Sequence, residues 1–269
     1  MNKSRLYKFL IITFFTAFSF NYFAHAEDPV IKIVNVVFVG EKASGKTYFR
    51  EAIKGKAFEE LVVENKRGST DTICVSKDIT FDIERNQHLR LMMYDTSGFE
   101  DIAEQVKNKL TQQANFVVLA IDGTKPVKVG TYYSYTDVVA QNQIQWYQQI
   151  LSYNKYRENL RFIVLGTKSD LLDRTISEGM SESQYTCLER KIRSFAEGSR
   201  ERVADYIMTS VTGDGYIGVE KFKNIIINRI REENLYDTLP TDEIELNMHD
   251  FDKNVSESKG KKDGTCVFL

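Results

Sequence analysis

Cysteine is scarce in this chain of 269 residues: there are three, Cys74, Cys187 and Cys266. They are odd in number, far apart and never in a C-x-x-C pair, which argues against a disulfide framework or a zinc site and leaves reduced thiols as the expectation. Proline is equally rare, at three residues, and glycine stands at 15. Low-complexity sequence is therefore missing except near the C-terminus. No internal repeat is visible. Neither sign of charge dominates: 36 Lys and Arg face 38 Asp and Glu, for a formal net charge of −2. There is no global basic field of the kind that nucleic-acid binders present, so no nucleic-acid partner is expected. No apolar run reaches the roughly 20 residues of a comfortable membrane span.

What is present is a chain 42% hydrophobic and 28% charged, enough for one globular domain with a real core plus appendages. The first appendage is N-terminal. Lys3, Arg5 and Lys8 form a basic start, Phe9 to Phe20 are almost wholly apolar or small, and Ala24-His25-Ala26 follows. That order is the pattern of a secretory signal segment, so residues 1–26 are set apart from the fold. An interfacial anchor, or an upstream extension not used as a start, is the other reading.

From Ile31 strands and helices alternate. Ile31 to Val39 is a near-continuous apolar run, as expected of a strand buried on both faces. A helix is predicted to start near Lys46. Asp78 to Glu84 and His88 to Tyr94 look like a hairpin, with Asn86 and Gln87 at its turn. Phe116 to Asp122 and Phe162 to Gly166 are further buried strands, and Tyr206 to Thr209 is the last. Asp137 to Tyr153 reads as a helix, and Ser181 or Ser183 as the cap of another that runs to about Ala196. Val219, Phe222, Ile226 and Ile230 step by three and four, which predicts an amphipathic closing helix. The alternation implies an α/β fold with a mostly parallel, six-stranded sheet and helices on both faces. The domain is expected over 27–235, with a polar, flexible tail over 236–269. In such sheets ligands sit beyond the carboxyl ends of the strands, and every motif below falls there.

Gly40-Glu-Lys-Ala-Ser-Gly45-Lys46-Thr47 matches G-x-x-x-x-G-K-[ST] between a strand and a helix, which makes it a phosphate loop. The backbone of Lys42, Ala43, Ser44, Gly45, Lys46, Thr47 and Tyr48 supplies inward N–H groups at a helix N-terminus, where anions are favoured. Gly40 and Gly45 permit the turn. Lys46 is expected on the outer phosphates and the Thr47 hydroxyl on magnesium. The motif specifies a nucleoside triphosphate without naming the base.

Asp95-Thr96-Ser97-Gly98 ends the strand Leu89 to Tyr94, the second of the hairpin. A strand-end aspartate can hold magnesium through water, and Gly98 can offer its N–H to the third phosphate. At this point the chain resembles the Ras superfamily of small GTPases. Thr72-Ile73-Cys74-Val75, running through Leu89 to Tyr94 into Asp95-Thr96-Ser97-Gly98, is similar to the T-I-G-V … I-K-L-Q-I-W-D-T-A-G pattern of the Rab branch, with the same spacing. The resemblance implies a P-loop NTPase G domain in which Thr72 senses magnesium and the third phosphate, with Thr70 as the fallback. It implies magnesium ligands at Thr47, Thr72 and Asp95. It also places Phe58 where the family sets an aromatic against the guanine.

Thr167-Lys168-Ser169-Asp170, directly after a strand, resembles the family's base-reading motif in its Rho-like form. A carboxylate there accepts two hydrogen bonds from guanine, which adenine cannot offer. Lys168 is expected to lay its stem over the ring. Thr209-Ser210-Val211-Thr212-Gly213-Asp214-Gly215 resembles the T-S-A-K-T-G-E-G loop, in which backbone N–H groups bind the guanine oxygen. The usual lysine is absent, with Val211 or Thr212 near its place.

Two departures matter. Phe99 follows Gly98 where most members carry the glutamine that orients the attacking water. Phenylalanine has no donor or acceptor, so slow hydrolysis is expected and no catalytic residue is assigned. Lys42 stands where several members have glycine, and its bulk can obstruct water or an activating partner's arginine. The chain stops at Cys266-Val267-Phe268-Leu269, a C-a-a-X box whose final leucine favours geranylgeranyl, with Lys259, Lys261 and Lys262 upstream. Together these features imply a switch that binds GTP or GDP with magnesium. It would be lipid-anchored through Cys266 at the cytosolic face of a membrane, where it meets effector, exchange and activating proteins. The competing readings are a working GTP hydrolase, a constitutive interaction module that has lost switching, and a P-loop kinase or ATPase, against which Asp170 argues. Residues 1–26 pull the other way, toward export or secretion. An exported protein lipidated inside a eukaryotic cell reconciles the two ends.

Overall fold

The structure is a computed structural model that describes residues 30–55, 74–84, 87–96, 111–124, 127–129, 132–134, 146–175, 182–210 and 218–241. Strand β1 (Val30–Gly40) runs through the middle of the sheet. Its side chains alternate between two cores. Ile33, Val37 and Val39 enter one, and Val34, Val36 and Phe38 enter the other. An apolar residue at nearly every position is therefore needed, because both faces of this strand are covered. Full burial of each large side chain contributes about 1.5–3 kcal/mol.

Helix α1 (Lys46–Ile53) follows the phosphate loop. The hairpin comprises β2 (Cys74–Glu84) and β3 (Gln87–Asp95). Then come β4 (Phe116–Asp122), the short β5 (Val127–Val129) and β6 (Tyr132–Ser134), α2 (Gln148–Tyr153) and β7 (Arg161–Thr167). Helix α3 (Gln184–Gly198), β8 (Val203–Met208) and α4 (Val219–Glu232) complete the series. The main sheet has six strands in the order β2-β3-β1-β4-β7-β8, and only β2 runs antiparallel to its neighbour. Chain order reverses at β1, which has β3 on one side and β4 on the other. That is the switch point where α/β sheets open a ligand crevice.

Helices α2 and α3 cover one face through Ile150, Leu188 and Ile192, with Trp146 just ahead of α2 in the same core. Helices α1 and α4 cover the other through Phe49, Phe222, Ile226 and Ile230. Phe38, Phe49 and Phe222 meet there, with ring centroids 6.5, 6.2 and 5.6 Å apart. The predicted three- and four-residue stripe of α4 is thus buried as a stripe. Ser183 caps α3, its hydroxyl accepting from the Thr186 N–H at 3.2 Å. That settles the choice of cap, with Ser181 lying outside the described residues.

Several boundaries differ from the sequence reading. β2 begins at Cys74, four residues before the predicted start, because backbone pairing with β3 extends from Cys74 opposite Asp95. β8 begins at Val203, since one buried valine suffices to seat an edge strand whose next three residues are only half-buried. The β5–β6 hairpin was not anticipated, because two three-residue strands carry almost no periodicity. Of the helix predicted over 137–153, the described part is α2 with the two residues before it. The tail does not start at 236: residues 236–241 stay on the domain. Leu239 is 4% exposed in the core beside α4, and the Pro240 carbonyl accepts from the Ile33 N–H at 2.8 Å. Two core-contacting residues, Tyr236 and Leu239, within a polar run hid this latch.

Candidate nucleotide site

The parallel register brings four loops to one edge of the sheet. Phe38 lies opposite Asp95, Gly40 opposite Ala120, and Asp122 opposite Thr167. The loops that leave β1, β3, β4 and β7 therefore emerge side by side.

The loop after β1 turns at two glycines with positive φ, Gly40 at 146° and Gly45 at 86°. A Cβ on Gly40 would stand 2.3 Å from the Ala120 carbonyl oxygen, so backbone lies against backbone at that point and no side chain fits. Ala43 adopts φ 62°, which directs successive amides into one concave turn. Lys42 and Ala43 are exposed, Ser44 is buried, and Tyr48 is half-buried. The Lys46 ammonium is itself buried. It donates to the carbonyls of Gly40 at 2.9 Å and Glu41 at 2.7 Å, so it crosses the mouth of the loop.

Asp95 ends β3 with its side chain fully buried. The Thr47 hydroxyl donates to its Oδ2 at 2.5 Å. The other oxygen, Oδ1, has no hydrogen-bond partner among the described residues. Burial pushes the Asp95 carboxyl above its ordinary value, against the pull of Arg50 and of the Thr47 hydroxyl. A buried carboxylate oxygen without a donor is costly, and it is a place where a cation is favoured.

The loop after β7 joins the phosphate loop directly. Thr167 is buried, and its hydroxyl donates to the Ser44 carbonyl at 2.7 Å and to the Ile121 carbonyl at 3.1 Å. Lys168 takes the left-handed conformation, φ 57°, and its ammonium reaches Oδ2 of buried Asp122 at 2.6 Å. That pair fixes the path of the lysine stem. Asp170 lies in the 3-10 turn Ser169–Leu171, open to solvent. The turn is anchored to the end of β8, because the Ser169 N–H donates to the Thr209 carbonyl at 3.1 Å, and Ser210 beside it is buried.

Of the residues proposed from sequence, the structure brings Lys42 to Tyr48, Asp95, Thr167, Lys168, Asp170 and Ser210 to this edge. Phe58, Thr72, Gly98, Phe99, Val211, Thr212 and Cys266 lie outside the described residues. Sequence reasoning missed Asp122, although a carboxylate at a strand end before Gly123-Thr124 is a legible signal. It also missed Arg50 and Glu51, a charged pair inside an otherwise apolar helix face.

Comparison with known proteins agrees with this geometry. A family model described as "Ras family" matches residues 35–210. Among solved structures, a bacterial selenocysteine-specific elongation factor, EF-Sec, is similar over 75% of this chain, with a TM-score of 0.51 and 19% identity. At that identity the likeness bears on the fold alone. The chain spans only 29% of that chain's length. A search of curated proteins found no match. The matched stretch runs from the middle of β1 to Ser210 just beyond β8, more than half of the whole: this chain belongs to the Ras family of P-loop, guanine-nucleotide-binding proteins.

Proposed function

We propose that this chain is a guanine-nucleotide switch that holds GTP or GDP with magnesium, hydrolyses GTP slowly, and recruits partners from a lipid-anchored position on a membrane. One observation supports the nucleotide reading most strongly. The Thr167 hydroxyl is bonded to the Ser44 carbonyl at 2.7 Å, which locks the base-reading loop onto the phosphate loop. A base and a phosphate tail carried by one ligand need two loops at a fixed separation.

The donor set fits a hard cation. Among the described residues no three His, Cys, Asp or Glu side chains gather to hold a metal. Magnesium, however, is commonly held by one or two protein oxygens together with substrate phosphates and waters. The Thr47 hydroxyl and the orphaned Oδ1 of Asp95 supply such a pair, with Thr72 as the third member implied by the family pattern. When bound, magnesium neutralises charge on the outer phosphates. The protein's own part is to wrap the phosphates in the amides of residues 42–48, to place the Lys46 charge beside them, and to present the Asp170 carboxylate to the base. Gly98 and the segments 58–78 and 98–113 are assigned to sensing the third phosphate and binding effectors.

Slow turnover is attributed to Phe99, which cannot orient a water, and to the bulk of Lys42. Its extreme form is a constitutively GTP-bound interaction module. The nucleotide that co-purifies with the protein separates the readings: GTP is expected, GDP would indicate a working hydrolase, and none a module that has lost the site. Lipidation is assigned to Cys266, with Lys259, Lys261 and Lys262 adding attraction to anionic lipid. The signal-like residues 1–26 favour a second reading, in which the protein is exported and lipidated elsewhere. Mass spectrometry of the mature protein decides this. A cleaved N-terminus with a prenylated Cys266 fits export followed by lipidation, and an unmodified Cys266 removes the anchor.

A further inference from the structure

The first helix after the phosphate loop carries an ion pair buried beside the metal-holding edge. Arg50 and Glu51 are adjacent in α1, at 7% and 5% exposure. Glu51 Oε1 accepts from Arg50 Nε at 2.9 Å and from Nη2 at 2.6 Å. Lys54 Nζ lies 3.1 Å from Glu51 Oε2. Burial opposes the Glu51 charge, yet Arg50 and Lys54 together hold its carboxyl below the ordinary value. The fork to Glu51 fixes the plane of the guanidinium, and its remaining nitrogen, Nη1, stands 3.6 Å from Oδ2 of Asp95. The one carboxylate assigned to magnesium is thus already shared with a cation that cannot be deprotonated.

We infer that Arg50 is a resident counter-cation of the magnesium edge, which makes nucleotide retention in this chain less dependent on magnesium. The inference rests on the reading of Thr47 and Asp95 as the metal-holding pair. Without metal, a bare buried carboxylate at this edge repels a phosphate tail, and Arg50 offsets that charge. With metal, the guanidinium repels the divalent ion and weakens its hold. Both effects act in the same direction, shrinking the difference between the magnesium-loaded and magnesium-free complexes. At contact distances and a partly screened dielectric, each interaction of this kind is large enough to change a rate severalfold or more.

The test is release of a fluorescent GDP analogue from the full chain, in millimolar magnesium and in EDTA. The proteins are the wild type, Arg50→Met and Arg50→Met/Glu51→Met. The double variant removes the partner carboxylate together with the guanidinium, so a folding defect caused by a stranded Glu51 is not mistaken for loss of the cation. It decides alone if the single variant does not fold. The ratio of release rates, EDTA over magnesium, is expected to be about tenfold larger in the variants, with half-saturation at a lower magnesium concentration. Equal ratios, clearly above one, in all three proteins overturn the role of Arg50 and leave the metal pair standing. Ratios near one throughout overturn the metal pair and the role of Arg50 together.

Discussion

Asp170→Asn is expected to lower the affinity for GDP by at least about 100-fold while leaving the weak binding of ADP unchanged. In the proposed role the carboxylate accepts from two neighbouring donors on guanine. The amide of asparagine keeps one acceptor and turns an N–H group toward the second donor. One charge-assisted hydrogen bond is lost, and one ligand donor is left facing another, for a combined cost of about 3 kcal/mol. The structure gives reason to expect a local effect. Asp170 is exposed in a 3-10 turn whose backbone is anchored to the end of β8, the Ser169 N–H donating to the Thr209 carbonyl at 3.1 Å. Titration of both nucleotides into both proteins checks the prediction. An unchanged GDP-to-ADP ratio refutes the assignment of base recognition to this residue.

Phe99→Gln is expected to raise the single-turnover rate of GTP hydrolysis by roughly 10- to 100-fold, with little change in GDP affinity. The substitution restores a group that can accept from and donate to the attacking water. Its effect should therefore appear in the chemical step and not in binding. If Lys42 crowds the same region, the single change gives the low end of this range, and Phe99→Gln/Lys42→Gly the high end. A variant no faster than the wild type would place the cause of slow hydrolysis elsewhere.

Those two residues mark how far the sequence could be read. The phosphate loop was legible because it sits between a strand and a helix of recognisable period, and the Asp170 motif because it directly follows a strand; the parallel register brings both segments to one edge of the sheet. Strand β1 was legible because burial on both faces demands an unbroken apolar run. Thr167 was legible only as part of a motif. Its bond to the Ser44 carbonyl is a contact across 123 positions that no local pattern encodes. The Lys168–Asp122 pair and the contact of Arg50 with Asp95 are of the same kind: charged residues whose partners are chosen by strand order, not by spacing. Leu239 shows the converse error. Composition marked the segment after 235 as tail, yet buried Leu239, Tyr236 packed against the core, the Lys32 ammonium on the Leu239 carbonyl and the Ile33–Pro240 backbone hydrogen bond hold 236–241 on the domain. Local composition averages over such single anchors, whereas the core responds to each of them.

The most direct measurement is a competition titration of guanosine and adenosine diphosphates into the full chain with magnesium present. The account predicts that GDP binds at least about a thousandfold more tightly than ADP, as expected where a hydrogen-bonding edge is matched by one base and left unpaired by the other. Equal affinity for the two nucleotides, or binding of neither, would contradict it.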